Sequence, residues 1–148
     1  MNDLRKKLLN RIQSGFPIVS RPYLALADEF GCSEADLIAE VRKLTEEGVI
    51  RRLGAAFASH KLGYSSTLVA MKAPQGRVDE VAAVINEYPN VTHNYLREHE
   101  YNIWFTLITP EKDDIERILK EISRKTGITE IKDLPASRLF KIRVQFKV

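Results

Sequence analysis

The sequence predicts an α+β protein in two parts, a winged helix-turn-helix followed by a ferredoxin-like βαββαβ domain. Three observations carry that prediction. Apolar residues recur at helical spacing through the first fifty positions, with a tight glycine turn before the third helical run. VIRRLGAAFASHKLGY then reads as a short β wing. From Ser65 onward, strand-type and helix-type patterns follow one another in the order β, α, β, β, α, β. Domains of residues 1–62 and 63–148 are expected.

In the first part, Leu4, Leu8 and Ile12 recur at four-residue spacing and give the first helix one apolar stripe. Gly15, Pro17 and Pro22 interrupt the chain before a short second helix over about Tyr23 to Phe30. In GCSEAD, Gly31 suits the position just past a helix end. Ser33, with Asp36 three residues on, is a carboxylate variant of the capping box. Leu37, Val41 and Leu44 supply the buried face of the third helix, which Gly48 stops.

In the second part, Ser65–Met71 is the first strand, and PQGR introduces a helix whose inner face is Val78, Val81 and Ile85. Pro89-Asn90 ends that helix. Val91–Arg97 and Tyr101–Thr109 form a hairpin, with Tyr101, Ile103, Phe105 and Leu107 on one face and Trp104 and Ile108 on the other. Thr109-Pro110 reads as the cap and first position of a helix that buries Ile115, Ile118, Leu119 and Ile122. The last strand is expected over residues 140–148. There Phe140, Ile142, Val144, Phe146 and Val148 alternate with Lys141, Arg143, Gln145 and Lys147. A sheet with helices on one side needs a cover for the other, and a partner subunit is the simplest.

Composition narrows the function. With 148 residues, 44% hydrophobic and 29% charged, the chain is globular rather than disordered. No apolar stretch approaches the roughly 20 residues that span a bilayer. MNDLRKKLLNRIQSGFP reads as an amphipathic helix and not as a signal peptide, so a cytoplasmic location without membrane association is expected. The single Cys32 excludes an intramolecular disulfide and a cysteine-rich metal centre held by this chain alone, and reads as core packing. Three scattered histidines make no zinc motif, and GAAFASHKLG lacks the spacing of a phosphate-binding loop.

A net charge of +3 and a pI near 9.0 permit an anionic partner without demanding nucleic acid. The distribution of charge argues against DNA. From Ser33 to Glu47 the acids Glu34, Asp36, Glu40, Glu46 and Glu47 stand against Arg42 and Lys43, five against two. A recognition helix must approach phosphates; this one repels them, and DNA binding is not expected.

The candidate chemistry lies in VTHNYLREHEYNIWFTL, residues 91–107. Strand periodicity puts Val91, His93, Tyr95 and Arg97 on one face, and Thr92, Asn94 and Leu96 on the other. The first face offers an imidazole that titrates near neutrality, a phenol, and a guanidinium fork for a carboxylate. His93 also suits axial ligation of a porphyrin-type iron, which needs only one imidazole. His99 falls at the hairpin turn between Glu98 and Glu100, where a solvated histidine is the ordinary outcome. In IRRLGAAFASH, Arg51 and Arg52 point to opposite sides if extended, and Gly54-Ala55-Ala56 would admit a flat ligand close to the backbone. The alternative is a solvated wing with either arginine paired to Glu46 or Glu47. Arg138, Lys141, Arg143 and Lys147 make either a solvated strand face or the wall of an anion pocket.

The order of a winged helix before a ferredoxin-like domain resembles the Lrp/AsnC transcription regulators over nearly the whole chain. GVIRRLGAAFASHKLGY followed by THNYLREHEYNIWFTL resembles one branch of them more closely, the siroheme decarboxylases of alternative haem and haem d1 biosynthesis. That resemblance implies one subunit, of the A type, in a heterodimer of two homologous chains. It implies removal of the C12 and C18 acetate carboxyls of siroheme to give 12,18-didecarboxysiroheme. The enzyme would have no cofactor of its own, since the reaction is redox-neutral and the iron enters with the substrate. Siroheme carries eight carboxylates, and one charge pair at about 4 Å is worth roughly 4 kcal/mol before desolvation is subtracted. Arg51, Arg52 and Arg97 are therefore the expected carboxylate-binding residues, with His60 and His99 as weaker candidates. His93 and Tyr95 are the candidate proton donors, and His93 is alternatively the axial ligand. Two other readings compete: a regulator sensing a small molecule through its C-terminal domain, and a haem-binding scaffold without turnover.

Overall fold

The computed structural model describes residues 3–141 together with 145, 146 and 148. The chain forms two compact units, one of Met1–Ala55 with Lys141–Val148 and one of Ala56–Phe140.

The first unit holds α1 (Asp3–Ser14), α2 (Pro22–Phe30) and α3 (Glu34–Glu46). Pro22 opens α2, and Gly31, with φ 68°, closes it in the left-handed conformation that only glycine adopts without strain. Ser33 Oγ accepts the Asp36 backbone N–H at 3.1 Å, so the expected cap starts α3. Leu8, Leu9, Leu26, Ala27, Leu37, Val41, Leu44 and Ile50 form one core, with Cys32 packed against it. The chain's last residues are tied to α1 by amides. Gln13 Nε2 donates to the Phe146 carbonyl at 3.0 Å while its Oε1 accepts the Phe146 N–H at 2.7 Å. Asn10 does the same for Val148, at 2.9 and 3.2 Å.

The wing does not form as strands. From Arg51 to Ala58 the chain is irregular, and Ser59–Leu62 is a 3-10 turn. A two-stranded ribbon is marginal unless something packs on it, and every residue from Arg51 to Ala58 is exposed.

The second unit has β1 (Ser65–Met71), α4 (Val78–Asn86), β2 (Val91–Leu96), β3 (Ile103–Thr109), α5 (Lys112–Thr126) and β4 (Ile131–Leu134). The antiparallel sheet has the order β2-β3-β1-β4. Val69, Met71, Ile103, Phe105 and Leu107 on one sheet face pack with Val81 and Ile85 of α4 and Ile115, Ile118 and Ile122 of α5. The αβ order and both helix faces are as the spacing predicts.

Three expectations are corrected. The fourth strand is Ile131–Leu134, not residues 140–148. The chain leaves α5 at Gly127 (φ 70°) and reaches the free edge of β1 within a few residues, so the edge is filled before the later alternating run arrives. Of that run, Ile142, Arg143, Val144 and Lys147 lie outside the described residues, and Phe140, Lys141, Gln145, Phe146 and Val148 form no strand. Thr109 is not a helix cap. It ends β3 opposite Ser65 and donates its hydroxyl to the Glu111 carbonyl at 2.6 Å, so the helix starts later. Finally, β2 has an irregularity between Val91 and His93: Val91 pairs with Leu107 and His93 with Thr106. One extra residue, Thr92, flips the alternation, so Val91 packs with the core and not beside His93.

Candidate functional site

The sheet face turned away from α4 and α5 is built in cross-strand rows. Direct pairs share a face in an antiparallel sheet, so Tyr95, Trp104, Ala70 and Lys132 form one row across β2, β3, β1 and β4. His93, Thr106, Leu68 and Leu134 form the next. Ile108 and Ser66 lie beyond them. Leu68, Leu134 and Tyr95 are 39%, 41% and 55% exposed, an apolar surface that no element of this unit covers.

The bulge aligns what the spacing proposed. His93 and Tyr95 emerge together with ring centroids 6.0 Å apart and planes 23° from parallel. His93 Nδ1 lies 3.1 Å from Thr92 Oγ1. Asn94, between them, turns to the helix side and donates to Asn86 Oδ1 at 3.0 Å. Arg97 follows just past β2. Its backbone N–H donates to the Asn102 carbonyl at 2.8 Å, and its guanidinium carbon sits 5.1 Å from the Trp104 ring centroid.

Asn102 fixes this end of the hairpin. Its Oδ1 accepts the Ala73 N–H at 2.9 Å and its Nδ2 donates to the Ala73 carbonyl at 2.8 Å. Trp104 Nε1 donates to the Tyr101 carbonyl at 2.6 Å. Tyr101 does not continue the core face of β3 as predicted. It precedes the strand, stacks near His99 with centroids 6.3 Å apart, and carries Lys132 Nζ 4.2 Å from its centroid. His99 Nδ1 accepts the Tyr101 backbone N–H at 3.1 Å, which makes Nε2 the protonated nitrogen of the neutral ring. Lys132 and Asn102 were missed from the sequence: a lysine on a short edge strand and one asparagine in YN carry no pattern.

The candidates do not all converge. Arg97 and His99 lie where β2 ends and β3 begins, whereas the His60 turn leads into β1 at the opposite end of the sheet. Seven strand residues separate those ends by about 20 Å. His60 is exposed. Arg51 and Arg52 belong to the first unit and are exposed. Arg52 donates to the Ala55 carbonyl at 3.1 Å, and neither pairs with Glu47, whose partner is Arg5 at 2.9 and 3.0 Å. Arg138 lies 4.9 Å from the Phe140 ring, Lys141 is exposed, and Arg143 and Lys147 fall outside the described residues.

Four acids of the helix-turn-helix are held by arginines of the same unit. Arg5 bonds Glu40 and Glu47, Arg21 bonds Glu34, and Arg11 bonds Glu29 at 2.8 Å. Hydrogen bonding to Arg5 holds the Glu47 carboxyl below its ordinary range. Among the described residues there is no group of three or more His, Cys, Asp and Glu suited to a metal ion, and no helix long and apolar enough to cross a membrane.

Residues 5–51 match the siroheme decarboxylase NirDL-like HTH domain, and residues 61–141 the AsnC-like ligand binding domain. The siroheme decarboxylase alpha subunit of Nitratidesulfovibrio vulgaris is 51% identical, across 100% of this chain and 84% of that protein. The siroheme decarboxylase NirD subunit of Stutzerimonas stutzeri is 43% identical, across 97% of this chain and 93% of that protein. A crystal structure of the siroheme decarboxylase NirDL in co-complex with an iron-uroporphyrin III analogue matches with a TM-score of 0.73 and 32% identity. It is covered over 48% of its length by 97% of this chain, which thus spans about half of NirDL. With both parts of its sequence matched and half of its residues shared with an alpha subunit, the chain belongs to the siroheme decarboxylase family.

Proposed function

We propose that this chain is one subunit of a siroheme decarboxylase and acts with a homologous second subunit to convert siroheme to 12,18-didecarboxysiroheme. Its full-length identity of 51% to an alpha subunit is the observation that carries the reading. The outer sheet face agrees with it chemically, since an imidazole, a phenol and an arginine stand together on an exposed, partly apolar surface. A flat polycarboxylate asks for that combination.

In the reaction, the bond between an acetate methylene and its carboxyl carbon breaks and CO2 leaves. The electron pair stays on the methylene carbon, conjugated with the pyrrole, until a proton converts it to a methyl group. No electrons are exchanged with a second reagent, so the reading requires no cofactor of the protein's own; the iron is part of the substrate. Arg97 holds a carboxylate, with Arg51 and Arg52 as further carboxylate-binding candidates and His60 and His99 as minor ones. Tyr95 or His93 delivers the proton. A His93 nitrogen bound to iron has no proton to give, so if His93 is the axial ligand, Tyr95 is the donor. The apolar part of the face, with Leu68, Leu134 and Ile108, is where the second subunit packs.

The test is to co-produce the chain with its homologous partner and supply siroheme without oxygen. The expected product is lighter by two CO2 units. Intact siroheme, with pigment bound, replaces the enzyme by a scaffold. Salt-dependent retardation of DNA with no effect of His93→Ala replaces it by a regulator.

A further inference from the structure

Among the described residues, three cations of the second unit have aromatic partners in place of anions: Arg138 beside Phe140, and Arg97 and Lys132 beside two rings only three residues apart in the chain. Among the described residues, the side chains of Arg97 and Lys132 form no hydrogen bond or ion pair. Arg97 lies over Trp104 and Lys132 over Tyr101, at 5.1 and 4.2 Å from the ring centroids. The two rings belong to one assembly, since the Trp104 indole N–H donates to the Tyr101 carbonyl at 2.6 Å. Two neighbouring acids are engaged elsewhere: Lys72 Nζ holds Glu100 at 3.5 Å and Glu130 at 3.6 Å. Glu98, next to Arg97 in the chain, forms no ion pair with it. Trp104 and Lys132 share a cross-strand row with Ala70 between them, so their backbones stand about 10 Å apart at ~4.8 Å per strand.

We propose that Trp104 and Tyr101 form an aromatic seat that holds Arg97 and Lys132 as a two-point anchor for carboxylates on different edges of one flat polyanionic tetrapyrrole. Lys132 is then a substrate-binding residue that the sequence did not single out, and Trp104 a positioning residue that acts through Arg97. The inference rests on the siroheme reading above. An exposed arginine has many rotamers to lose when it binds. One held against an indole has fewer rotamers left to lose, and with no other side-chain partner its fork stays open to a carboxylate, so less ordering remains for the ligand to impose. Ala70, between Trp104 and Lys132 in the row, is 1% exposed, so its neighbours close over it and a macrocycle would lie on those larger side chains.

The test uses the chain co-produced with its homologous partner, with siroheme titrated anaerobically and followed by its Soret band. Trp104→Leu is expected to raise Kd and KM about fivefold with kcat nearly unchanged, while Trp104→Phe keeps a ring and most of the affinity. Lys132→Gln should act similarly, and Lys132→Arg should restore binding. In an Arg97→Ala background, Trp104→Leu should have no further effect, which a merely structural tryptophan would not satisfy. Equal weakening in both backgrounds overturns the positioning role, and an unchanged Kd in Lys132→Gln overturns the anchor. That variant alters one exposed side chain and decides the matter even if Trp104→Leu does not fold. A wild-type complex that neither binds nor converts siroheme removes the functional reading itself. One that does both, with the variants unaffected, removes only the anchor.

Discussion

At the scale of single residues, His93 has its Nδ1 beside Thr92 Oγ1, and Nε2 has no protein partner among the described residues. Nε2 is therefore the nitrogen free for iron or for a proton. His93→Ala is expected to lower kcat about 100-fold or more if the histidine is the acid, with the Soret band of bound siroheme unmoved. If it is the ligand, the Soret band shifts. Absorption and turnover of one variant separate the two roles. Asn102 makes a different prediction. It satisfies both backbone groups of Ala73, so Asn102→Ala leaves a half-buried donor and acceptor unpaired and should cost about 2 kcal/mol in urea unfolding. Period-two spacing placed His93, Tyr95 and Arg97 on one face without any structure. It failed at Val91, because a bulge depends on the partner strand's register and leaves no mark in its own sequence.

At the scale of elements, the helix-turn-helix is braced by ion pairs across its helices. Arg5 of α1 reaches Glu40 of α3 and Glu47 just past it. The bond to Arg5 lowers the Glu47 pKa, and bonds to Arg77 and Lys120 lower those of Glu80 and Glu116. A lowered pKa means the folded state binds protons less readily than the unfolded chain. Stability from these groups is thus complete above the ordinary carboxylate range and falls as the pH drops through the depressed values. Arg5→Gln should lower the urea midpoint at pH 7 and flatten the decline between pH 5 and pH 3. All three groups are exposed, so each effect is small. The helices and three strands were legible because their apolar periods are long. The edge strand Ile131–Leu134 was not: four residues make no period, and the cleaner alternation downstream drew the assignment to itself. The wing failed for the opposite reason, since its residues suit a ribbon but nothing packs against one.

At the scale of the whole molecule, the two cores are separate, and the outer sheet face of the second unit shows Leu68 and Leu134 to solvent. Leu134→Glu should leave urea unfolding of the chain within about 0.5 kcal/mol of wild type, because the residue lies off the core. The same change should weaken co-elution with the homologous subunit in size-exclusion chromatography. Loss of fold in place of loss of partner would place Leu134 in the core instead. The two-part order was legible from the switch between helical and strand patterns. The aromatic partner of Lys132 was not legible, because Tyr101 and Lys132 are brought together by elements distant in sequence, whereas Arg97 meets Trp104 across a single hairpin.

The amides of Asn10 and Gln13 have a consequence for biosynthesis. The first unit takes its closing segment from residues that leave the ribosome only after all of the second unit has been made. At roughly 5–20 residues per second, α1 waits several seconds or more for the backbone of Phe146 and Val148. A released chain ending at Phe140 should thus carry a folded second unit and an unlatched first one, which limited proteolysis would detect as early cleavage in α1.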